Sequence, residues 1–236
     1  MRFLALPFLL AATTASAQDG NYVSFNLGLG AASGPAYFGS DTTESVVSGV
    51  FANPSMSVGS LAFGQGSDSY GLGMTGSFRI VSARTAAAYP ELAGLPDVDL
   101  SIEAGGGLTY TTENALVYAV GRYGVIGHES FVGEIGSDYI LQPTDSTELR
   151  VGPRLFFGDD DYAATYFSAG AYSAKGGILS RGIQASAAYN FDENWGVVGT
   201  VNYDQLLNDA ANSPITQTTD QFGVSLIVTR KVTWSF

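Results

Sequence analysis

Between residues 220 and 236 the chain alternates between an apolar and a mostly polar face, and no other feature restricts its fold so tightly. One face carries Phe222, Val224, Leu226, Val228, Arg230, Val232, Trp234 and Phe236; the other carries Gln221, Gly223, Ser225, Ile227, Thr229, Lys231, Thr233 and Ser235. A period of two with one apolar and one mostly polar face describes a β-strand set between two environments. Hydrocarbon outside and a wet interior inside satisfy it, as in the wall of a transmembrane barrel. Trp234 and Phe236 end the strand with aromatics, as expected of an outer-membrane barrel closing on its last strand.

The pattern recurs upstream. Residues 70–81 place Tyr70, Leu72, Met74, Phe78 and Ile80 opposite Arg79, and residues 98–110 place Val98, Leu100, Ile102, Leu108 and Tyr110 opposite Asp99 and Glu103. Residues 130–141 oppose Phe131, Ile135, Tyr139 and Leu141 to Glu134 and Asp138, and residues 148–157 oppose Leu149, Val151, Leu155 and Phe157 to Glu148, Arg150 and Arg154. Trp195 and Tyr203 bracket the apolar face of another strand, which carries Asn202 and Asp204 on its polar side. About eight residues at ~3.3 Å rise, tilted by ~40°, span roughly 20 Å, close to the ~25 Å apolar band of such barrels.

Links between strands fall into two classes. Those at 66–69, 111–114, 142–147 and 191–194 are short; those at 31–44, 82–97, 158–177 and 207–219 are long, with a short companion at 127–129. The classes alternate if 45–65 is one strand bent near Pro54 and Gly59. The expected fold is therefore all-β: an antiparallel transmembrane β-barrel of ten strands, with five external loops, four turns and both termini periplasmic. Twelve strands remain an alternative if another short strand lies within 158–177, whereas a hairpin in 45–65 gives eleven and breaks the parity. Arg230 conflicts with its apolar face, because a cation at mid-bilayer costs ~2–4 kcal/mol. A bulge could turn Arg230 and Lys231 inward or toward an interface.

The front end reads as an export signal. Arg2 precedes an apolar run from Phe3 to Ala12 and the small-residue site Ala15, Ser16, Ala17, so residues 1–17 are expected to be removed and 18–236 to form the barrel in a Gram-negative outer membrane. Cysteine is absent, which excludes disulfides and thiolate catalysis. Ten Lys and Arg stand against 22 Asp and Glu, a net charge of −12 that repels nucleic acid and favours cationic partners.

Parity sends a set of charges inward: Arg79, Glu103, Arg122, Glu134, Asp138, Glu148, Arg150, Arg154 and Asp204. In the narrow lumen of a ten-strand barrel they should pair, forming either a structural plug or the lining of a gated or ion-selective pore. Asp159, Asp160 and Asp161 open the longest link, followed by Tyr162; they form a solvated or Arg-paired loop or, alternatively, a divalent-cation site. Pro35, Tyr37 and Phe38 belong to a loop that either folds over the mouth or offers a contact patch. His128, the sole histidine, lies in a short link beside Glu129 and Ser130, an arrangement that does not read as catalytic. Gly105, Gly106 and Gly107 lie inside an alternating strand with no helix following, so they read as close packing or a bend rather than a phosphate loop. No catalytic, cofactor or metal residue is assigned.

Three segments carry a resemblance. The first runs Gly28, Gly30, Pro35, Tyr37, Gly39, Ser40, Asp41; the second Gly152, Pro153, then Asp159, Asp160, Tyr162, Thr165, Tyr166, Phe167; the third Asn194, Trp195, then Leu206, Leu207, Asn208, Asp209, Ala210, Ala211, Ser213, Pro214, Ile215. Together they resemble the MipA/OmpV family of MltA-interacting outer-membrane proteins, with Asn208 where that family usually has Gly. The resemblance implies a non-enzymatic barrel embedded in outer-membrane lipid. For some members it implies a scaffold between a lytic transglycosylase and a murein synthase; others are adhesins or porin-like proteins. No cofactor and no catalytic residue come with it.

Overall fold

The computed structural model describes residues 21–58, 61–63 and 70–236. The expected leader over 1–17 and the expected turn at 66–69 lie outside the described residues. Among the described residues eleven strands form one antiparallel sheet: β1 Tyr22–Pro35, β2 Thr43–Val58, β3 Leu61–Phe63, β4 Gly71–Val81, β5 Ser101–Thr111, β6 Ala115–Ile126, β7 Phe131–Thr144, β8 Thr147–Gly158, β9 Gly177–Asn190, β10 Trp195–Leu206 and β11 Asp220–Ser235. Ten are long. The eleventh, β3, has three residues and folds back on β2, with Met56 opposite Phe63. The expectation of a single bent strand over 45–65 is thereby corrected, because the chain reverses between Val58 and Leu61. The ten-strand wall stands nonetheless.

Neighbours in the sheet are neighbours in sequence, except that β11 pairs with β1 from Tyr22↔Ser235 to Ser33↔Val224. The last strand thus joins the two ends of the chain. The sheet curls until its two sides approach each other, β2, which lies beside the short edge strand β3, coming near the edge strand β4. No ladder joins those two edges among the described residues.

Turn chemistry explains the short links. β7 and β8 are joined through Asp145 and Ser146 alone, and the carboxylate of Asp192 accepts from the amides of Asn194 and Trp195 at 2.8 Å each. The strand expected from Val98 begins instead at Ser101. Val98 bridges to Arg84 and is buried within the long link, where burying an apolar side chain outweighs continuing the ladder.

Parity holds along the wall. In β11 the inward Gln221, Ser225, Ile227 and Thr229 are buried, while Phe222, Leu226 and Val228 are exposed. Exposed aromatics form two rims. Tyr70, Tyr110, Tyr139, Tyr189 and Trp195 mark the short-link end; Tyr123, Phe131, Tyr203 and Phe222 mark the long-link end. Two such girdles flanking an aliphatic band match the two interfaces of a bilayer. Arg230 faces outward opposite Trp195, its guanidinium 5.2 Å from that ring, so it sits at girdle level rather than mid-band.

Candidate functional site

The interior is filled by the link after β8. There, where a twelve-strand barrel would need another strand, the chain forms helix α1, Asp160–Phe167. Asp159 caps it, accepting the Tyr162 amide at 2.8 Å and, through its other oxygen, the Phe131 amide at 2.7 Å. Asp160 and Asp161 occupy the first turn, where the helix dipole favours negative charge. Asp160 also accepts the Gly176 amide at 2.8 Å. Helix geometry therefore separates three adjacent carboxylates into a cap and two first-turn acids. Among the described residues no three His, Cys, Asp or Glu side chains gather as a metal group.

At the other end of α1, Arg84 donates to the carbonyls of Tyr166 and Thr165 at 3.1 and 3.3 Å. Burial lowers the Arg84 pKa from its ordinary value. Tyr162, Ala163, Tyr166 and Phe167 are all buried, facing the barrel wall and the mouth.

Beneath α1 the inward charges form a chain. Arg79 Nη2 lies 2.8 Å from Glu103 Oε1 and donates to the Tyr162 hydroxyl at 2.6 Å. Glu103 Oε2 accepts from Arg122 Nε at 3.1 Å, Arg122 Nη2 reaches Glu134 at 3.3 Å, and the Tyr118 hydroxyl donates to Glu134 at 2.5 Å. The Arg79 guanidinium also stacks 4.3 Å from the Phe156 ring centroid. Two further pairs stand apart, Arg154 with Asp138 and Arg150 with Glu148, each at 2.6 Å. Asp204 is placed differently. It receives the Asn202 amide at 2.8 Å and has no cation within salt-bridge distance among the described residues.

Gly152 and Pro153 have a local reason to be together. Pro153 brings no N–H to the ladder, and Arg154 Nη1 takes the Ser137 carbonyl at 2.8 Å. A Cβ on Gly152 would fall 1.7 Å from that same carbonyl oxygen. Inward Gly105 and Gly107 likewise let β5 approach β6, since a Cβ at either would lie 2.0 Å from a carbonyl oxygen of β6.

The long links close the mouth over α1. The ring of Phe38 stands edge-on to Tyr166, with centroids 5.3 Å apart, and contacts Phe167 at 5.7 Å. Ser213 donates to the Phe167 carbonyl, and Tyr172 to that of Asp209 at 2.9 Å. Ala36, Tyr37, Tyr89, Leu92 and Ile215 form a second small core. Helix α2, Asn208–Ala211, seats Ala210 against the first. Asn208 has φ +50°, a left-handed conformation that glycine adopts freely and asparagine tolerates, which explains why either residue serves there. The long-link parts of the three motif segments thus converge on one end of the barrel and pack against one another, whereas Asn194 and Trp195 lie at the opposite end.

Of the expected loop contacts, Tyr37 and Tyr162 are buried and Pro35 and Phe38 half-buried, while Asp160 and Asp161 stay exposed. The Tyr37 hydroxyl lies 3.2 Å from both Glu91 and Gln217. Burial, and then the Glu91 charge, push its pKa up to about 12.

His128 lies between two partners: its Nδ1 is 2.6 Å from Ser130 Oγ and its Nε2 is 3.2 Å from Glu103. The order of partners resembles a hydrolase triad. Ser130 is 1 % exposed, however, and the His128 ring is enclosed under Tyr162 and Tyr166, so no substrate carbonyl reaches the hydroxyl. Parity alone could have flagged Tyr118 as inward. Arg84, in an irregular link, carries no periodic signal.

Between α1 and the wall formed by β9, β10 and β11 a partly open cavity of about 150 Å³ remains, bordered by Asp204, Asn202, Gln184, Gln221 and Phe167.

An antiparallel barrel with two aromatic girdles and a lumen occupied by its own loops defines a class, the outer-membrane β-barrels. The family described as MltA-interacting protein MipA matches residues 27–232, and the chain belongs to that family. No curated protein matches the sequence. Among solved structures, an outer membrane channel from Pseudomonas putida F1 is similar at 12% identity and TM-score 0.47, over 92% of this chain and 97% of that one. The Pseudomonas putida toluene transporter TodX is similar at 9% identity and TM-score 0.32, over 93% and 90%.

Proposed function

We propose that this protein is an outer-membrane interaction protein, a plugged barrel that serves as a scaffold rather than an open conduit. One observation carries the reading: α1 and the Arg79–Glu103–Arg122–Glu134 chain occupy the lumen where solute would pass. The family's description supports a partner of the MltA type, a lytic transglycosylase; a murein synthase as a further member of the assembly follows only from the resemblance. The motif residues of the long links are engaged in packing the plug, which leaves the short-link end as the face for such partners. That end would be periplasmic, together with both termini, after export and removal of residues 1–17.

Two measurements test this. In planar bilayers the purified protein should give no stable conductance steps, and deleting residues 160–167 should produce them. From solubilised membranes the protein should co-purify with a lytic transglycosylase. Steps from the intact protein together with failure to retain the transglycosylase would favour the second reading, a gated pore for small solutes, which the residual cavity supports.

A further inference from the structure

The cavity beside Asp204 goes beyond a scaffold role. Among the described residues the other inward carboxylates of the wall are matched: Glu103 by Arg79 and Arg122, Glu134 by Arg122, Asp138 by Arg154, and Glu148 by Arg150. The cations that border the cavity, Arg79 and Arg154, are already committed to Glu103 and Asp138. Asp204 is the remaining acid, and it borders the cavity with the carboxamides of Asn202, Gln184 and Gln221. Gly182 makes this placement possible, because a Cβ there would lie 2.0 Å from Asp204 Oδ1. A carboxylate withdrawn from bulk water without a counter-charge is costly, and a cation in the adjoining space relieves it.

Size and polarity narrow the class. A cavity of about 150 Å³ is the size of one that accepts benzene, so roughly six non-hydrogen atoms fit. The lining combines Asp204 and three amides with the apolar faces of Phe38, Phe156, Phe167 and Leu206, and its other charged groups, Glu134, Arg79 and Arg154, are each paired with an opposite charge. Such a lining suits a short organic cation, with its charged head on Asp204 and its carbon stem against the rings.

We infer that the lumen holds a binding site for a small organic monocation of the alkylammonium class, centred on Asp204, Asn202 and Gln184. The site depends on the folded plug rather than on any partner, so it stands or falls independently of the scaffold reading.

The test uses the full mature barrel in detergent micelles, with n-propylammonium as probe and n-propanol and propionate as neutral and anionic controls. Binding is read by saturation-transfer NMR and calorimetric titration. The cation should bind, the two controls should bind at least tenfold more weakly, and Asp204→Asn should weaken the cation at least tenfold. Gln184→Glu adds a second carboxylate at the same wall and should tighten binding several-fold, which provides a gain of signal should the Asp204 variant refold poorly. Equal binding of propylammonium and propanol, no binding by the intact protein, or an unchanged affinity in Gln184→Glu would each overturn the assignment.

Discussion

The guanidinium of Arg79 on β4 meets the carboxylate of Glu103 on β5 at 2.8 Å, with both side chains shut away from solvent. Glu103 also anchors Arg122 and His128, so one carboxylate holds three basic groups against the underside of α1. Replacing Glu103 with Gln leaves Arg79 buried without its counter-charge and Arg122 with Glu134 alone. Breaking a buried pair from one side costs about 3–5 kcal/mol. A urea titration of the barrel in lipid vesicles should show a clearly lowered midpoint, and an unchanged midpoint would mean that the chain of charges is not structural.

The position of Arg230 makes an opposite prediction. At girdle level beside Trp195 its removal forfeits a cation–π contact worth about 0.5–1 kcal/mol. Were it at mid-bilayer, removing it would stabilise the barrel by about 2–4 kcal/mol. Arg230→Ala should therefore be neutral or slightly destabilising. Quenching of Trp195 by lipids brominated near the headgroup should exceed quenching by lipids brominated at the chain ends.

Gly152→Ala tests the Gly-Pro pair. The added methyl meets the Ser137 carbonyl that Arg154 occupies, with backbone on the receiving side. Overpacking of this kind costs about 1–3 kcal/mol or more. The heat-modifiable gel band of the folded barrel should be lost at a lower temperature than in the parent, and an identical melting profile would contradict the contact.

Tyr37 sets a dependence on alkaline pH. Its pKa is raised from 10.0 to about 12, so the folded state keeps the proton that the unfolded chain releases first. This contribution is complete below pH 10 and is lost as pH climbs through 12. The stability difference between the parent and Tyr37→Phe should shrink across that interval, as followed by unfolding titrations at pH 9 and 12. A constant difference would show that the hydroxyl is not held protonated.

The facing of the wall residues, Arg230 and Lys231 excepted, was legible in the chain alone, because a strand's period of two is local and needs no knowledge of any partner. The inward set from Arg79 to Asp204, the outward aliphatics and the aromatics at both strand ends follow from parity alone. The same reasoning failed where a contact depends on distant chain. That 45–65 reverses at Val58, that 158–177 coils into a helix, and that Val98 leaves its strand to be buried are settled by packing between links far apart in sequence. Arg79 reaches a hydroxyl 83 residues away, and Arg84 caps a helix from a segment without period. Only the curl and register of the sheet bring such groups within reach. Packing between distant links therefore settles which inward charges are paired among the described residues and that α1 occupies the lumen.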